Sequence, residues 1–426
     1  MIPSAPKSLP SERMILFLVG AIQFVNILDF MMVMPLGPDF ATALGIPSSH
    51  LGYIGGAYTA SAAVSGIIAS FFLDRFDRRS ALAVAMLGLV IGTAAGGFAT
   101  GLGTLMLARV VAGAFGGPAT SIALSIVADV IPPERRGKAM GAVMGAFSIA
   151  SVLGVPMGLE LSRWGSWRTP FFAVAGVGLV VAASASFLMP PLRLHLGRAE
   201  TLHPPPFRDV VARPVAQLSL LTSAVVMLAT FTIVPNLATY VQFNLGYPRE
   251  SLGLLYLVGG LVSFVSMRFV GGLVDRLGAP RVAVFGTLAF VASLVLWILF
   301  PALGLPVMGF YVVMMLSNSG RSVAMSALTS RVPRSHERAR FTSIQSSVQH
   351  VSSAIGALLS ASLLVERPDH GLEGMGTVAL VSIGFALTQP ALLWSVERGV
   401  RAAEALSRAV SGGVEPSPAA AAVAGE

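Results

Sequence analysis

The chain has 426 residues, of which 54% are hydrophobic and only 11% are charged, and it contains no cysteine. Soluble domains carry roughly 25% charged residues, so this composition excludes an ordinary soluble domain and favours a membrane protein. The lack of cysteine excludes disulfides, thiolate metal sites and a cysteine nucleophile. The net charge of +8 would suggest a nucleic-acid partner in a soluble protein.

Twelve apolar segments follow one another along the chain, each near the roughly 20 residues that a tilted helix needs to cross a bilayer. Helices are predicted because backbone groups in lipid must be satisfied within the segment, and the alternation typical of barrel strands is not visible. The first segment has no small-residue cleavage site after it, so we interpret it as a retained helix rather than a signal peptide. The predicted spans are 14–36, 51–73, 80–100, 104–128, 138–162, 169–190, 217–243, 251–273, 281–301, 305–329, 340–364 and 376–396.

The basic residues are distributed unequally between the two sides of the predicted membrane. Of the 28 Lys and Arg residues, 21 fall on one side, four on the other and three within spans. The positive-inside rule then places both termini in the cytoplasm, in a multi-pass protein of the cytoplasmic (inner) membrane. This bias accounts for the basic charge without any nucleic-acid partner.

The longest interruption between spans is a basic, proline-containing stretch after span six, which reads as a cytoplasmic linker between two halves. The C-terminal tail is low in complexity and is expected to be disordered. The predicted domains are an N-terminal cytoplasmic segment 1–13, a six-helix half 14–190, the linker 191–216, a second six-helix half 217–396 and the cytoplasmic tail 397–426.

Two charged turns lie at matching places in the two halves. Residues 73–82 contain Asp74 and Arg75, and residues 271–281 contain Asp275 and Arg276, each Asp-Arg pair closing an apolar segment. A second pair of similar loops follows spans four and ten. The chain is therefore predicted to be an all-α membrane protein made of two repeats of six helices, an arrangement known among transporters.

The first turn is similar to the signature Gly-x-Leu-x-Asp-Arg-x-Gly-Arg-Arg-x-x-Leu of the major facilitator superfamily. The turn resembles that signature as Ser70-x-Phe72-x-Asp74-Arg75-x-Asp77-Arg78-Arg79-x-x-Leu82, with Ser70 and Asp77 in place of the two glycines. Span four also resembles the family in its Arg-x-x-x-Gly motif, and span five resembles the glycine-proline signature of the drug and sugar efflux branch. These positions are Arg109, Gly113, Gly154, Pro156 and Gly158.

The resemblance implies a major facilitator fold and a proton-coupled efflux transporter of twelve transmembrane helices. It also implies that the charged turns form a conformational latch on the cytoplasmic side, the alternative being plain turns held by positive-inside charges. The latch positions are Asp74, Arg75, Arg78, Arg79, Asp275 and Arg276. By resemblance, the small residues of spans four and five suppress proton leak, although simple helix packing explains them equally well; they are Gly113, Gly117, Gly154, Pro156 and Gly158.

Asp29 lies in the middle of span one, three residues after Asn26 and six after Gln23, so the three share roughly one helix face. A carboxylate in a bilayer costs at least about 2.5–3.5 kcal/mol, so it must face a cavity, pair with a cation or be protonated. Arg109 in span four is the natural partner, and it cannot itself release a proton. The pair is predicted to couple transport to protons; a structural carboxylate and a helix-packing arginine are the alternatives.

Other polar residues within spans are candidates for binding a small-molecule substrate, although neutral amides also hold membrane helices together. Arg321 either binds an anionic substrate group or joins a polar network. The predicted substrate-binding residues are Gln23, Asn26, Tyr58, Asn236, Tyr240, Arg321, Gln345 and Gln349.

These patterns predict a monomeric secondary transporter that exports a small amphipathic compound in exchange for protons, with no cofactor or metal. Uptake or facilitated transport of a sugar, nucleoside or other metabolite is the alternative. A membrane enzyme or receptor is disfavoured because no nucleophile motif, metal cluster or sizeable loop domain is found, and no phosphate-binding loop indicates ATP-driven pumping.

Overall fold

The structure is a computed structural model that describes residues 12–70, 76–192, 207–333 and 338–411. Contacts divide the chain into two units, one comprising Met1–Ile46 with Ala57–His203 and the other Pro47–Gly56 with Pro204–Glu426. Both units are helical, as predicted. The predicted N-terminal segment 1–13, apart from its last two residues, and the end of the predicted tail beyond 411 lie outside the described residues.

The first half of the sequence forms nine α-helices among the described residues. Helix α3 starts in residues assigned to the second unit and continues in the first. The helices are α1 (Glu12–Val33), α2 (Gly37–Leu44), α3 (Leu51–Ser70), α4 (Arg78–Gly97), α5 (Leu102–Val130), α6 (Pro133–Met144), α7 (Ala146–Ile149), α8 (Val155–Trp164) and α9 (Thr169–Leu188).

The second half forms seven α-helices and one short hairpin among the described residues. The hairpin pairs β1 (Val365–Glu366) with β2 (Leu372–Glu373) in antiparallel register, Val365 opposite Glu373. The helices are α10 (Phe207–Ala212), α11 (Pro214–Thr239), α12 (Leu252–Leu277), α13 (Ala279–Leu294), α14 (Val307–Thr329), α15 (Arg338–Leu363) and α16 (Met375–Ser411).

Each of the twelve predicted spans coincides with a helix or a run of helices. Nine helices in the described ranges are long and apolar enough to cross a membrane. The other three spans are the broken run α6–α8 and the more polar helices α14 and α15, the last of which carries seven serines. Large apolar side chains such as Phe17, Phe187 and Phe269 are 74–84% exposed, as expected of surfaces that face lipid.

Span five is interrupted by a turn of π-helix over Ala150–Gly154, between α7 and α8. Pro156 lies in the first turn of α8, where its missing N–H costs least. A Cβ atom on Gly154 would lie 2.6 Å from Leu28 Cδ1 on α1, so a larger residue here would require the Leu28 side chain to move. Gly158 is less confined, with the nearest atom 3.9 Å away.

Asp77 caps the N-terminus of α4. Its side chain accepts a hydrogen bond from the backbone N–H of Arg79 at 3.0 Å and a second from that of Leu192 at 2.9 Å. The φ angle of Asp77 is −57°, so the position does not need the positive φ that glycine favours. Aspartate therefore replaces the glycine of the signature without strain and contributes a cap.

Helix α16 continues to residue 411, beyond the predicted end of the last span. The expectation of a disordered tail from residue 397 is therefore wrong for 397–411. Ion pairs support the extension: Arg401 with Glu397 at 2.8 Å within the helix, and Arg331 with Glu404 at 2.6 Å from the end of α14. Likewise, α10 and the first residues of α11 occupy part of the predicted linker.

Candidate functional site

A buried ion pair joins α1 and α5. Arg109 donates to both carboxylate oxygens of Asp29, from Nη1 to Oδ1 at 3.0 Å and from Nη2 to Oδ2 at 2.9 Å. The exposed fraction is 0% for Asp29 and 1% for Arg109. Because both charges are removed from solvent and bonded in the bidentate geometry, each depends on the other for compensation.

Thr93 on α4 forms a hydrogen bond with the ion pair, and its hydroxyl group has two possible acceptors. Its Oγ1 lies 2.7 Å from Asp29 Oδ1 and 2.8 Å from the carbonyl oxygen of Leu89, so its one proton is shared between two directions. If Asp29 gains a proton, it can donate to Thr93 while Thr93 turns its own proton to Leu89. The site therefore offers hydrogen bonds to both the charged and the neutral carboxyl group.

Tyr58 on α3 connects this pair to a second polar group. The guanidinium carbon of Arg109 lies 4.6 Å from the centre of the Tyr58 ring, and the Tyr58 hydroxyl donates to Asn26 Oδ1 at 2.8 Å. Asn26 Nδ2 in turn donates to the carbonyl of Gly116 at 2.8 Å and to Thr120 Oγ1 at 2.6 Å. The predicted substrate residues Asn26 and Tyr58 thus bond to each other.

Glycines on α5 allow α3 to approach closely enough for these contacts. A Cβ atom on Gly113 would overlap the backbone of Tyr58, and one on Gly117 would lie 2.5 Å from the carbonyl oxygen of Ala62. The obstructing atoms are backbone, which cannot rotate away. The two glycines, spaced by four, therefore place the ring of Tyr58 against α5.

Gly113→Ala is expected to destabilise the protein by about 1–3 kcal/mol, because the added methyl group forces α3 away from α5. Gly103→Ala is the control, since it lies on the same helix with no atom within 4 Å of its added Cβ, and it should be neutral or stabilising. Thermal unfolding of the detergent-purified proteins measures both. Equal melting temperatures for the two variants would contradict the assigned contact.

Tyr58→Phe is expected to cost about 0.6–1.7 kcal/mol of stability, the range found for single hydrogen bonds between membrane helices. The variant keeps the ring over Arg109 and loses only the bond to Asn26, so the transport activity that the sequence predicts should persist. Tyr58→Leu also removes the cation–π contact and should impair both stability and transport. Equal transport by the two variants would mean that the ring does not position Arg109.

The second unit contains a buried arginine with a different set of partners. Arg321 on α14 is 0% exposed, and its Nε donates to Gln389 Oε1 on α16 at 2.8 Å. Gln389 returns a bond to the backbone oxygen of Arg321 at 3.1 Å. The guanidinium also lies 4.3 Å from the ring centre of Phe290 on α13.

The remaining predicted substrate residues join separate clusters. Asn236 donates to Ser360 at 2.8 Å, and the Tyr240 hydroxyl donates to the carbonyl of Trp297 at 2.9 Å. Gln345 donates to Ser223 at 2.8 Å and to Thr329 at 3.1 Å. Gln349 is half-buried, and the Oε1 atom of Gln23 is buried without a hydrogen-bond partner among the described residues.

Four of the six predicted latch residues lie in the described part of the chain. Asp74 and Arg75 lie outside the described residues. Arg78 is buried and its Nε donates to Asp129 at the end of α5 at 3.3 Å, whereas Asp275 and Arg276 are exposed at the end of α12. Arg79 is half-buried in the first turn of α4. The structure thus assigns a partner, Asp129, that the sequence did not single out.

Thr93 and Gln389 are the other residues that sequence reasoning missed. Both are polar residues within apolar segments, so a search for every polar side chain in a span would have found them. Neither is ionisable, and a hydroxyl such as that of Thr93 can satisfy itself on its own helix, which makes the signal weak. Within the described ranges, no group of three or more His, Asp or Glu side chains is placed to hold a metal ion.

The sequence of this chain is similar to those of several known proteins. Residues 19–357 match the model of the Major Facilitator Superfamily. The uncharacterized MFS-type transporter YceJ of Bacillus subtilis (strain 168) is 21% identical over 374 residues, covering 88% of this chain and 95% of YceJ. A chloramphenicol resistance protein of Streptomyces lividans is 27% identical over 263 residues, covering 61% of this chain and 66% of that protein.

Solved structures give the same picture of the fold. A bacterial homolog to the human lysosomal transporter Spinster, in an inward-facing and occupied conformation, superposes with a TM-score of 0.70 at 16% identity, covering 92% of this chain and 98% of that chain. A D-xylose-proton symporter superposes with a TM-score of 0.70 at 14% identity, covering 90% and 97%. At identities this low the likeness establishes a shared fold and not a shared cargo.

Proposed function

Because the chain belongs to the Major Facilitator Superfamily, we propose that it is a secondary active transporter that exports a small amphipathic organic compound in exchange for protons. Its fold, twelve helices in two six-helix halves, is the fold of that family. Members of the family are transporters rather than enzymes, and the work is done by alternating access rather than by bond chemistry.

The observation that carries the proposal is the buried pair of Asp29 and Arg109. An arginine keeps its charge, whereas a carboxylate can be neutralised by a proton. When Asp29 is ionised the pair is neutral, and when Asp29 is protonated the site holds one uncompensated positive charge. Proton binding therefore changes the charge of a desolvated site by one unit, which is enough to favour one conformation over another.

Thr93 and Tyr58 support the same role. Thr93 offers a hydrogen bond to either protonation state of Asp29, and the Tyr58 ring lies over the Arg109 guanidinium, where it can stabilise the charge that is left when the carboxylate is neutral. A site that stabilises both states is suited to a group that must take up and release a proton in each cycle.

Export is favoured over uptake by the relatives with resistance names. The chloramphenicol resistance protein and a multidrug resistance protein of Bacillus subtilis (strain 168), 22% identical over 283 residues, are both similar to this chain. Uptake or facilitated transport of a sugar or other metabolite is the alternative, favoured by the buried amides of Asn26 and Asn236 and the half-buried amide of Gln345.

We further propose a monomer in the cytoplasmic (inner) membrane with both termini in the cytoplasm, as the distribution of Lys and Arg predicts. The charged turns act as the cytoplasmic latch. Arg78 holds Asp129 in that scheme, so the latch includes the end of α5 as well as the start of α4.

The test uses purified protein in liposomes that enclose a pH-sensitive dye. Amphipathic drugs, sugars and nucleosides are added in turn, and we expect one drug-like class to move protons in the direction opposite to its own. Protein-free liposomes are the control. Substrate movement without proton movement would overturn the coupling, and movement of a sugar together with protons would replace export by the alternative.

A further inference from the structure

Arg321 differs from Arg109 in the charge balance of its surroundings. Arg109 is compensated by the carboxylate of Asp29. Within the described part of the chain no carboxylate lies within ion-pair distance of Arg321, whose polar contacts are to the amide oxygens of Gln389 and Asn318. The second unit thus contains a fully buried guanidinium with neutral partners only.

Burying this charge without a counter-ion costs free energy, which suggests that the residue has a function. A guanidinium cannot discard its charge by losing a proton, and an unpaired buried charge is strongly unfavourable. The amide oxygen of Gln389 and the face of Phe290 offset part of that cost. Within a membrane span, such a cation is a candidate for a functional site whose counter-ion arrives with a ligand.

The hydrogen-bond donors that remain available on the guanidinium indicate the chemistry of that ligand. Gln389 occupies Nε, while Nη2 is buried with no hydrogen-bond partner among the described residues. Nη1 has a single partner, Asn318 Oδ1, at the long distance of 3.5 Å. The two terminal nitrogens are those that grip a carboxylate through two parallel hydrogen bonds.

Two half-buried polar residues lie beside these terminal nitrogens. Asn318 lies three residues before Arg321 on α14, and its Oδ1 is also 3.5 Å from the hydroxyl of Thr230 on α11. Both Asn318 and Thr230 are half-buried, in contrast to the fully buried Arg321. A carboxylate that replaces Asn318 Oδ1 as the acceptor from Nη1 would also have Nη2 within reach on the same guanidinium.

We propose that Arg321 binds the carboxylate group of the transported compound, with Asn318 and Thr230 as the polar groups that receive it. The assignment rests on the proposed transport function and narrows its cargo to amphipathic organic acids. Gln389 acts as a positioning residue that fixes the guanidinium with its terminal nitrogens free.

The first experiment measures the melting temperature of ligand-free Arg321→Gln in a neutral detergent and chloride-free isethionate buffer. The introduced glutamine can bond to Gln389, and the change removes the uncompensated charge, so we expect a melting temperature equal to or above that of the wild type. Arg268→Gln is the control, because Arg268 also lies over a phenylalanine ring, at 5.3 Å from Phe264, but is exposed. A lower melting temperature for Arg321→Gln alone would assign Arg321 a structural role and overturn the proposal.

The second experiment compares acids with amides of the same shape: benzoate with benzamide, 2-naphthoate with 2-naphthamide, and decanoate with decanamide. At least one acid should stabilise the wild type and Arg268→Gln more than its amide does. Its affinity should fall at least about 10-fold in Arg321→Gln, the smallest loss expected when hydrogen bonds to a charged group are removed. No preference for any acid, or an undiminished preference in Arg321→Gln, would overturn the proposal.

Separate additions of sodium chloride and phosphatidylglycerol distinguish other anions from a substrate acid. Stabilisation by either that equals the effect of the best acid would mean that Arg321 holds an inorganic ion or a lipid headgroup, which overturns the assignment. Since these measurements need no proton gradient, a failure here is separable from a failure of the proton-flux assay. A protein that exchanges protons for neutral drugs alone would keep the proposed function and lose this inference.

Discussion

Asp29→Asn is expected to abolish proton-driven transport and to leave a folded protein. Asparagine keeps an oxygen that accepts hydrogen bonds from Thr93 and Arg109, but it cannot bind or release a proton. The variant therefore resembles the protonated state permanently. Proton flux in dye-loaded liposomes should fall to the level of protein-free liposomes, while a cooperative melting transition in detergent should show that the variant is folded.

Asp39→Asn is the matched control for that experiment. Asp39 lies on α2 of the same unit and accepts a hydrogen bond from Ser162 at 2.9 Å, away from the buried pair. Its replacement should leave proton flux unchanged. Asp29→Glu keeps a titratable group and should retain part of the flux. Undiminished substrate-driven proton flux in Asp29→Asn would remove Asp29 from the coupling mechanism.

Arg109→Gln is expected to destabilise the protein by about 3–5 kcal/mol, because the change leaves the carboxylate of Asp29 buried without its partner. The carboxyl group must then either keep a buried, unpaired charge or take up a proton, and both cost free energy. Melting temperatures in detergent measure the effect.

A double-mutant cycle tests whether the two residues depend on each other. Asp29→Asn combined with Arg109→Gln replaces two charges by two neutral amides, so the double variant should be more stable than Arg109→Gln alone. Arg163→Gln removes the arginine of an exposed pair with Glu160 and should cost at most about 1 kcal/mol. Additive losses in the Asp29 and Arg109 cycle would contradict the mutual compensation described for the buried pair.

The spans of the fold were predictable because lipid imposes a simple rule on composition, namely about 20 apolar residues closed by charged turns. The matching turns around Asp74 and Asp275 were enough to predict the duplication. The extension of α16 past residue 397 was not predicted, because a polar segment that follows a span has a similar composition whether it is helical or disordered. Its support comes from Glu404 meeting Arg331, which is distant in sequence.

The candidate site was predictable only where it is charged. Asp29 and Arg109 stand out because ionisable residues within spans are rare and energetically unfavourable. In the structure, Arg109 Nη2 lies 2.9 Å from Asp29 Oδ2. The roles of Tyr58 and Asn26 could not be read from the sequence, because an amide or a phenol in a span is equally suited to bind a substrate or another helix. Their mutual hydrogen bond depends on the close approach of α3 and α5. The glycines of α5 allow this approach, but their presence in the sequence does not predict which helix lies against them.

The π-helical turn in span five has a consequence for comparing this chain with its relatives. Successive residues of an α-helix are rotated by about 100°, and a π turn contains one residue more than the α turn it replaces. A projection of the segment as one regular helix therefore puts every residue after Gly154 about 100° from its true direction. Relatives with an uninterrupted helix here should align through a one-residue gap inside the membrane, at 150–154, where alignments usually forbid one.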